Sequence, residues 1–434
     1  MLRADPHMKE VARGTLLAFI LKVAGSGLAF SFNVAVARLL GAEGAGLYFL
    51  ALAVTTIGSV IGRVGLDNAL LRFVATHATH GEWGQVKAVH ALGMRLAIAV
   101  SATLSLIGFF VANWMAAALF NKPELGEPLR WMSLSILPFA ILNLQAESLK
   151  GLKRIRDAML VQGMGVPLIA LLLLYPLTQV AGATGVAWAY SIATMMTALL
   201  GAWAWRRVVS THDVAEAVFP LKELWASCKP LLLVAVMNRA VMPWMPIFLL
   251  GIWVSIEDVG IFGAASRVVM LVSFMLASVN TVLAPKFAEL YAKGELKAMA
   301  NTARRSALLI TLAASPLFLV MIFGGEWVMH MFGPSFVEGA ILLEILAIGQ
   351  LLNSITGSVN HILIVTGNEG LVRNSMLFWA FVLLTICLAL IPAWGVIGAA
   401  IAMAMVTAGT NLTAAYLVWK RLGLVTIPLL GRWL

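Results

Sequence analysis

Apolar stretches of about 20 residues, each able to cross a hydrocarbon layer of roughly 30 Å, recur along this chain between short charged segments. That alternation is the pattern of an all-α, polytopic membrane protein. Of its 434 residues 61% are hydrophobic and 12% charged, whereas a soluble domain is about half apolar and roughly a quarter charged. A water-soluble globule is excluded. Candidate spans cover 14–37, 47–66, 88–112, 129–149, 158–178 and 185–205, then 230–253, 260–284, 306–323, 340–365, 374–391 and 395–419. The expectation is about twelve crossings, in two six-helix bundles.

The formal charge of +10 would suggest nucleic acid in a soluble protein. Here its placement speaks to orientation, because short loops rich in Lys and Arg stay in the cytoplasm. One set of loops holds nearly all of it: the head with Arg3, Lys9 and Arg13; then Lys150, Lys153, Arg154 and Arg156; Arg206, Arg207, Lys222 and Lys229; Lys286, Lys293, Lys297, Arg304 and Arg305; Arg373; and the tail with Lys420, Arg421 and Arg432. The opposite set offers Arg38, Lys122 and Arg130. With an even number of crossings both termini fall on the cytoplasmic side. The first apolar run is long enough to span, so no cleavable signal peptide is expected. The division expected is an N-terminal lobe at 1–210, a cytoplasmic interfacial linker helix at 211–229 and a C-terminal lobe at 230–434. In the linker Leu221, Leu224, Trp225 and Cys228 share a face behind Pro220.

The halves repeat one another. Gly46-Leu-Tyr aligns with Gly260-Ile-Phe, 214 residues on, and Arg72-Phe73 falls on Lys286-Phe287 at the same offset. Arg156-Asp-Ala-Met-Leu meets Arg373-Asn-Ser-Met-Leu, Gly182-x-x-Gly185 meets Gly395-x-x-Gly398, and Trp205-Arg-Arg meets Trp419-Lys-Arg. A nearly constant register implies duplication. Repeats with an even number of helices enter the membrane in the same direction, so a pseudo-two-fold axis along the membrane normal can relate them. Secondary transporters of this kind bind between lobes and alternate access by rocking.

A cation at mid-helix costs about 2.5 to 3.5 kcal/mol on insertion scales, and four stand there: Lys22, Arg63, Arg239 and Arg267. Small and polar residues share their faces. Lys22, Ser26, Ala29 and Asn33 follow helical spacing, as do Thr56, Ser59, Arg63 and Asp67. Asn238 adjoins Arg239, and Gln350, Asn353, Ser354, Thr356, Gly357, Ser358, Asn360 and His361 crowd the tenth candidate span. These are read as the lining of a positive aqueous cavity suited to phosphate or pyrophosphate. Asp67, Glu147 and Glu344 are the scarce acids, candidates for coupling to an ion. Bland readings stand beside these: Arg63 snorkelling to headgroups, Arg267 paired structurally, His361 packed as an ordinary polar residue.

No Walker phosphate loop, metalloprotease His-Glu pair or Gly-x-Ser-x-Gly elbow occurs, and Cys228 and Cys387 cannot build a cysteine-rich zinc site. The expectation is a transporter, not an enzyme, with no cofactor or metal beyond a coupling proton or sodium. The segment Ala37-Arg-Leu-Leu-Gly-Ala-Glu-Gly-Ala-Gly-Leu-Tyr48, followed by Gly65-Leu-Asp-Asn-Ala-Leu-Leu-Arg-Phe-Val74, resembles the polysaccharide transporter family. These are the Wzx-like O-antigen and exopolysaccharide flippases of the multidrug/oligosaccharidyl-lipid/polysaccharide exporter superfamily. The resemblance implies a V-shaped pair of bundles in the bacterial inner membrane, moving undecaprenyl-diphosphate-linked oligosaccharide to the outer leaflet, with membrane lipids, glycan polymerases and chain-length regulators as partners. The alternatives are a cation-coupled drug or small-molecule exporter and a membrane-embedded glycan polymerase or ligase. The first helix, with Lys22 and Asn33 but no interior acid, lowers the former; short outer loops lower the latter.

Overall fold

The computed structural model describes residues 6–212 and 217–428, except for the side chains of 6–19, 230, 277–278 and 281–282. Arg3 and Arg432 of the basic termini lie outside the described residues. In chain order the helices are α1 (Pro6–Gly62), α2 (Leu66–Thr79), α3 (Trp83–Trp114), α4 (Gly126–Ser133), α5 (Ile136–Gly151), α6 (Ile155–Met159), α7 (Val166–Val209), α8 (Leu221–Val236), α9 (Met242–Trp253) and α10 (Ile256–Ala292). There follow α11 (Leu296–Phe323), α12 (Gly325–His330), α13 (Ala340–Thr356), α14 (Val359–Val365) and α15 (Glu369–Leu422).

Helix α1, at 57 residues, would reach about 85 Å if straight, over twice the hydrocarbon thickness. It breaks at Gly41 (φ 69°, ψ −173°). Phe32 and Tyr48, about 24 Å apart along an unbroken helix, meet edge to face with ring centroids 5.8 Å apart, so the chain reverses there. Helices α7 and α15 break at Gly182 (φ 53°, ψ −127°) and Gly395 (φ 54°, ψ −131°). The returning arm packs so closely that a Cβ at Gly185 or Gly398 would collide with the carbonyl of Leu177 or Leu390 respectively. Among the described residues, eight helices are long and apolar enough to cross a membrane, or nine if the bent pair Pro123–Ser133 and Ile136–Gly151 is one span. Three of the eight are these reversing helices, each with two arms. The protein is an all-α, multi-pass membrane protein. Large side chains such as Phe110, Leu172, Phe323 and Phe381 stand more than two-thirds exposed, which water would not tolerate over so wide a surface but lipid does.

The repeat read from sequence reappears as matched backbone geometry. Gly182 and Gly395 carry nearly the same dihedral angles, and so do the turns around Gly81 (φ 74°) and Gly294 (φ 72°). In those turns Glu82 N–H donates to His77 O and Glu295 N–H to Leu290 O, each at 2.9 Å, the six-to-one bond of a Schellman end. Lys153 and Gly367 are both left-handed as well. One feature is not duplicated. Between α1 and α2 the chain breaks at Val64 (φ 52°) and Gly65 (φ 75°), whereas α10 runs without interruption through the corresponding stretch of the second half.

Packing divides the chain into two compact units, Met1–Ile252 and Trp253–Leu434, with the division at the last residue of α9. The expected linker helix is the first part of a longer one: α8 begins directly after Pro220 and continues through a π-helical turn, Met237–Val241, into α9. The face expected to be shared is divided, with Leu224 and Cys228 fully buried and Leu221 and Trp225 about half exposed. Polar ties hold this long helix to the first unit. Arg72 Nη2 donates to Ser227 Oγ at 2.9 Å. Lys122, expected in an outer loop, is buried and its Nζ donates to Gly251 O at 2.7 Å and to Phe120 O at 3.1 Å, satisfying carbonyls at helix ends.

Burial, reinforced by the negative charge of Asp67 and opposed by Arg72, pushes the Cys228 thiol up to about 11. At pH 8 that leaves roughly one thiolate per thousand chains. Maleimide labelling of Cys228 in the folded protein is therefore expected to be about a hundredfold slower than in the detergent-denatured chain. Equal rates in the two states would contradict the burial of this residue.

Candidate functional site: a charged seam in the first unit

The break at Val64–Gly65 brings the charges together. Arg63 follows the last turn of α1, Asp67 lies in the first turn of α2, and Arg239 sits on the π-helical turn between α8 and α9. Arg63 Nη1 donates to Asp67 Oδ1 at 2.6 Å, and Arg239 Nη1 donates to the same oxygen at 2.7 Å. Asp67 and Arg63 are almost wholly buried, while the Arg239 side chain keeps 36% of its surface exposed. Asp67 Oδ2 is buried with no hydrogen-bond partner among the described residues. Two guanidiniums share one carboxylate, and Arg239 is the one that reaches solvent. Arg63 Nε leans on Ser59 O at 3.4 Å, and the fully buried Ser59 Oγ has no partner among the described residues.

A second polar group flanks the first. Lys150 Nζ donates to Glu147 Oε1 at 3.0 Å and to Gln162 Oε1 at 2.7 Å, and Gln162 Nε2 donates to Asn143 Oδ1 at 3.1 Å. Gln162 belongs to another π-helical turn, Leu160–Gly165; extra-residue turns of this kind re-aim side chains and recur at functional sites. Lys22 lies on α1. Lys22 is half-buried and makes no side-chain hydrogen bond recorded among the described residues. Along its face Ser26 Oγ donates to Lys22 O at 2.8 Å and Asn33 Nδ2 to Ala29 O at 2.6 Å, bonds that turn these side chains back onto their own helix.

The structure thus unites Lys22, Ser59, Arg63, Asp67, Glu147 and Arg239 in one unit, with Asn238 exposed beside them. It also alters the picture of independent cations at successive depths: Arg63 and Arg239 are coupled through Asp67, which accepts two charged hydrogen bonds and is not an isolated acid. Lys150, Gln162 and Asn143 were missed from sequence. The three-residue spacing of Glu147 and Lys150 on one helix was the available signal; counting Lys150 only as a loop charge hid it.

Arg267 and the remaining candidates belong to the second unit. Arg267 is half-buried on α10, its Nη1 3.2 Å from Met270 Sδ. Asn353 Nδ2 donates to Gln350 Oε1 at 2.9 Å, and Asn360 Nδ2 reaches Asn411 Oδ1 at 3.4 Å. Ser354 is fully buried, Glu344 and His361 partly so. The polar stretch expected on one helix is divided: α13 ends at Thr356, Gly357 is left-handed (φ 69°), and α14 begins at Val359. A Cβ at Gly357 would lie 2.8 Å from Ala307 Cβ, so close approach of α11 favours glycine there.

The family described as "Polysaccharide biosynthesis protein" matches residues 11–291, and the MatE family matches residues 232–391. A Haloferax volcanii protein named "Probable low-salt glycan biosynthesis flippase Agl15" is 22% identical over 416 residues, covering 94% of this chain and 84% of its own. Among solved structures, the lipid II flippase MurJ in an inward closed conformation matches with a TM-score of 0.76 at 13% identity, over 93% of this chain and 87% of that one. An inward-facing multidrug resistance transporter of the MATE family matches with a TM-score of 0.75 at 16% identity, over 96% and 99%. A transporter of the same superfamily from Pyrococcus furiosus, described as having a binding pocket of reverse polarity, matches with a TM-score of 0.68 at 16% identity, over 94% and 95%. Such identities speak to fold: the chain shares the architecture of these exporters.

Proposed function

The chain belongs to the polysaccharide biosynthesis protein family, and from that premise we propose that it is a flippase for undecaprenyl-diphosphate-linked oligosaccharide. The headgroup passes through a positive path while the polyprenyl tail stays in lipid, and the protein crosses the bacterial inner membrane about twelve times with both termini cytoplasmic. The observation that carries this reading is Arg239: a guanidinium anchored at one nitrogen by a buried carboxylate and still open to solvent. Its free donors suit bidentate capture of a phosphate oxygen pair. Arg267 is assigned to a substrate contact within the second unit, and Lys22 and Arg63 to the same positive path. The polar side chains named with them line it, and Asp67, Glu147 and Glu344 are the acids through which a proton or sodium ion would couple. Glycan polymerases and chain-length regulators would receive the product.

Replacing Arg239 or Lys22 with alanine is expected to reduce surface glycan severalfold in a complemented deletion strain, while the protein still accumulates in the membrane. Reconstitution with a lipid-linked glycan and leaflet-specific detection measures the step directly. Native glycan levels in both variants would count against the assignment. The MatE match at residues 232–391 supports a second reading, a cation-coupled exporter of small molecules. It predicts drug hypersensitivity in the deletion strain with surface glycan intact.

A further inference from the structure

After α15 the chain turns at Gly423, which is left-handed (φ 65°), and the following segment folds back along the end of the helix. Leu424 and Thr426 are buried by this return, and Leu424 joins a core built from Phe287, Met299 and Val418. Between the returning segment and the outward stripe Leu412, Tyr416 and Trp419 lies an apolar cleft of about 250 Å³. The three stripe residues follow helical spacing and are each about half exposed. Two features set the cleft apart from an ordinary lipid-facing surface. The Thr426 hydroxyl on its wall is buried with no hydrogen-bond partner among the described residues. The ammonium of Lys420 sits 5.8 Å from the centroid of the Tyr416 ring that lines it, with exposed Arg421 next in sequence.

We propose that this cleft is a binding site for an anionic glycerophospholipid. One acyl chain lies between Tyr416, Trp419 and the 424–427 segment, and the headgroup phosphate lies against Lys420 and Arg421. The site is amphipathic: an apolar slot for a chain opens beside two cations, at the basic end of a spanning helix where interfacial aromatics and lysines meet headgroups. A zwitterionic lipid offers the same chain without net charge to match. This site lies in the second unit and does not depend on the substrate assigned above.

The test uses full-length protein in proteoliposomes containing a phospholipid with a diazirine on its acyl chain, followed by mapping of labelled peptides. Phosphatidylglycerol is expected to label residues 412–427 severalfold more than phosphatidylcholine with the same chains. Lys420→Gln with Arg421→Gln should abolish that preference, lowering phosphatidylglycerol labelling severalfold to the phosphatidylcholine level, with labelling elsewhere unchanged. Val425→Trp, which fills the slot, should lower labelling by both lipids. Equal labelling by the two lipids in the native chain, or a preference that survives the double substitution, would overturn the proposal. So would labelling that appears only after residues 429–434 are removed, because the chain's own tail would then be the occupant. Displacement by equimolar undecaprenyl phosphate would equally overturn it by assigning the slot to the glycan carrier.

Discussion

Replacing Asp67 with alanine is expected to deplete folded protein, because it strips the only carboxylate recorded as bonding Arg63 among the described residues while leaving that guanidinium 3% exposed. Removing one partner of a buried ion pair costs about 3–5 kcal/mol, since the other charge remains desolvated and uncompensated. The deficit should appear as lost monodisperse protein after extraction and as a lower melting temperature. Adding Arg63→Met, which replaces the buried pair by apolar volume, should recover most of the stability, as apolar replacement of such pairs is often neutral. Export should not recover with it. In the double variant Arg239 has lost the oxygen that fixes its Nη1, so the half-exposed guanidinium is present but no longer positioned. Recovery of stability without export separates positioning from packing. Native behaviour of Asp67→Ala alone would mean that the carboxylate bears no weight in the seam.

This seam marks where the sequence could be read and where it could not. Apolar length fixed the membrane class, because a run of twenty residues has little choice of solvent, and the glycine pairs Gly182/Gly185 and Gly395/Gly398 marked the repeat; that Gly182 and Gly395 are also the points of reversal is visible only in the backbone. Arg63 and Asp67 were visible as neighbours on one helical face, yet they stand on opposite sides of a break, with Arg63 just beyond α1 and Asp67 in α2. Their link to Arg239 was invisible, since it spans 172 residues and hydropathy tells that a helix crosses without telling which bundle it packs on. For the same reason hydropathy does not show that the 230–253 span carries the polar ties from Arg239 to Asp67 and from Gly251 to Lys122. The division of the 340–365 span escaped notice because Gly357 sits among polar residues whose pattern alone continues a helix.

A methyl group at Gly65 is expected to damage the seam from its hinge. Gly65 needs a positive φ of 75°, and substitution at such a position costs roughly 1 kcal/mol in strain. Its second constraint is the larger. A Cβ there would stand 2.7 Å from Leu232 N and 2.8 Å from Cys228 O, backbone atoms of α8 that cannot rotate aside. Relief requires α8 to move away from the Val64–Gly65 break, and that same helix leads into the turn that brings Arg239 to Asp67. Overpacking typically adds about 1–3 kcal/mol, so Gly65→Ala should lower both melting temperature and glycan export. Gly81 supplies the internal control. It shares the positive φ, at 74°, but a Cβ there meets nothing within 4 Å. Gly81→Ala should therefore show the strain alone and leave export near native. If the two variants melt together and export equally, close approach of α8 is not what demands glycine at position 65, and the hinge role assigned to this break fails with it.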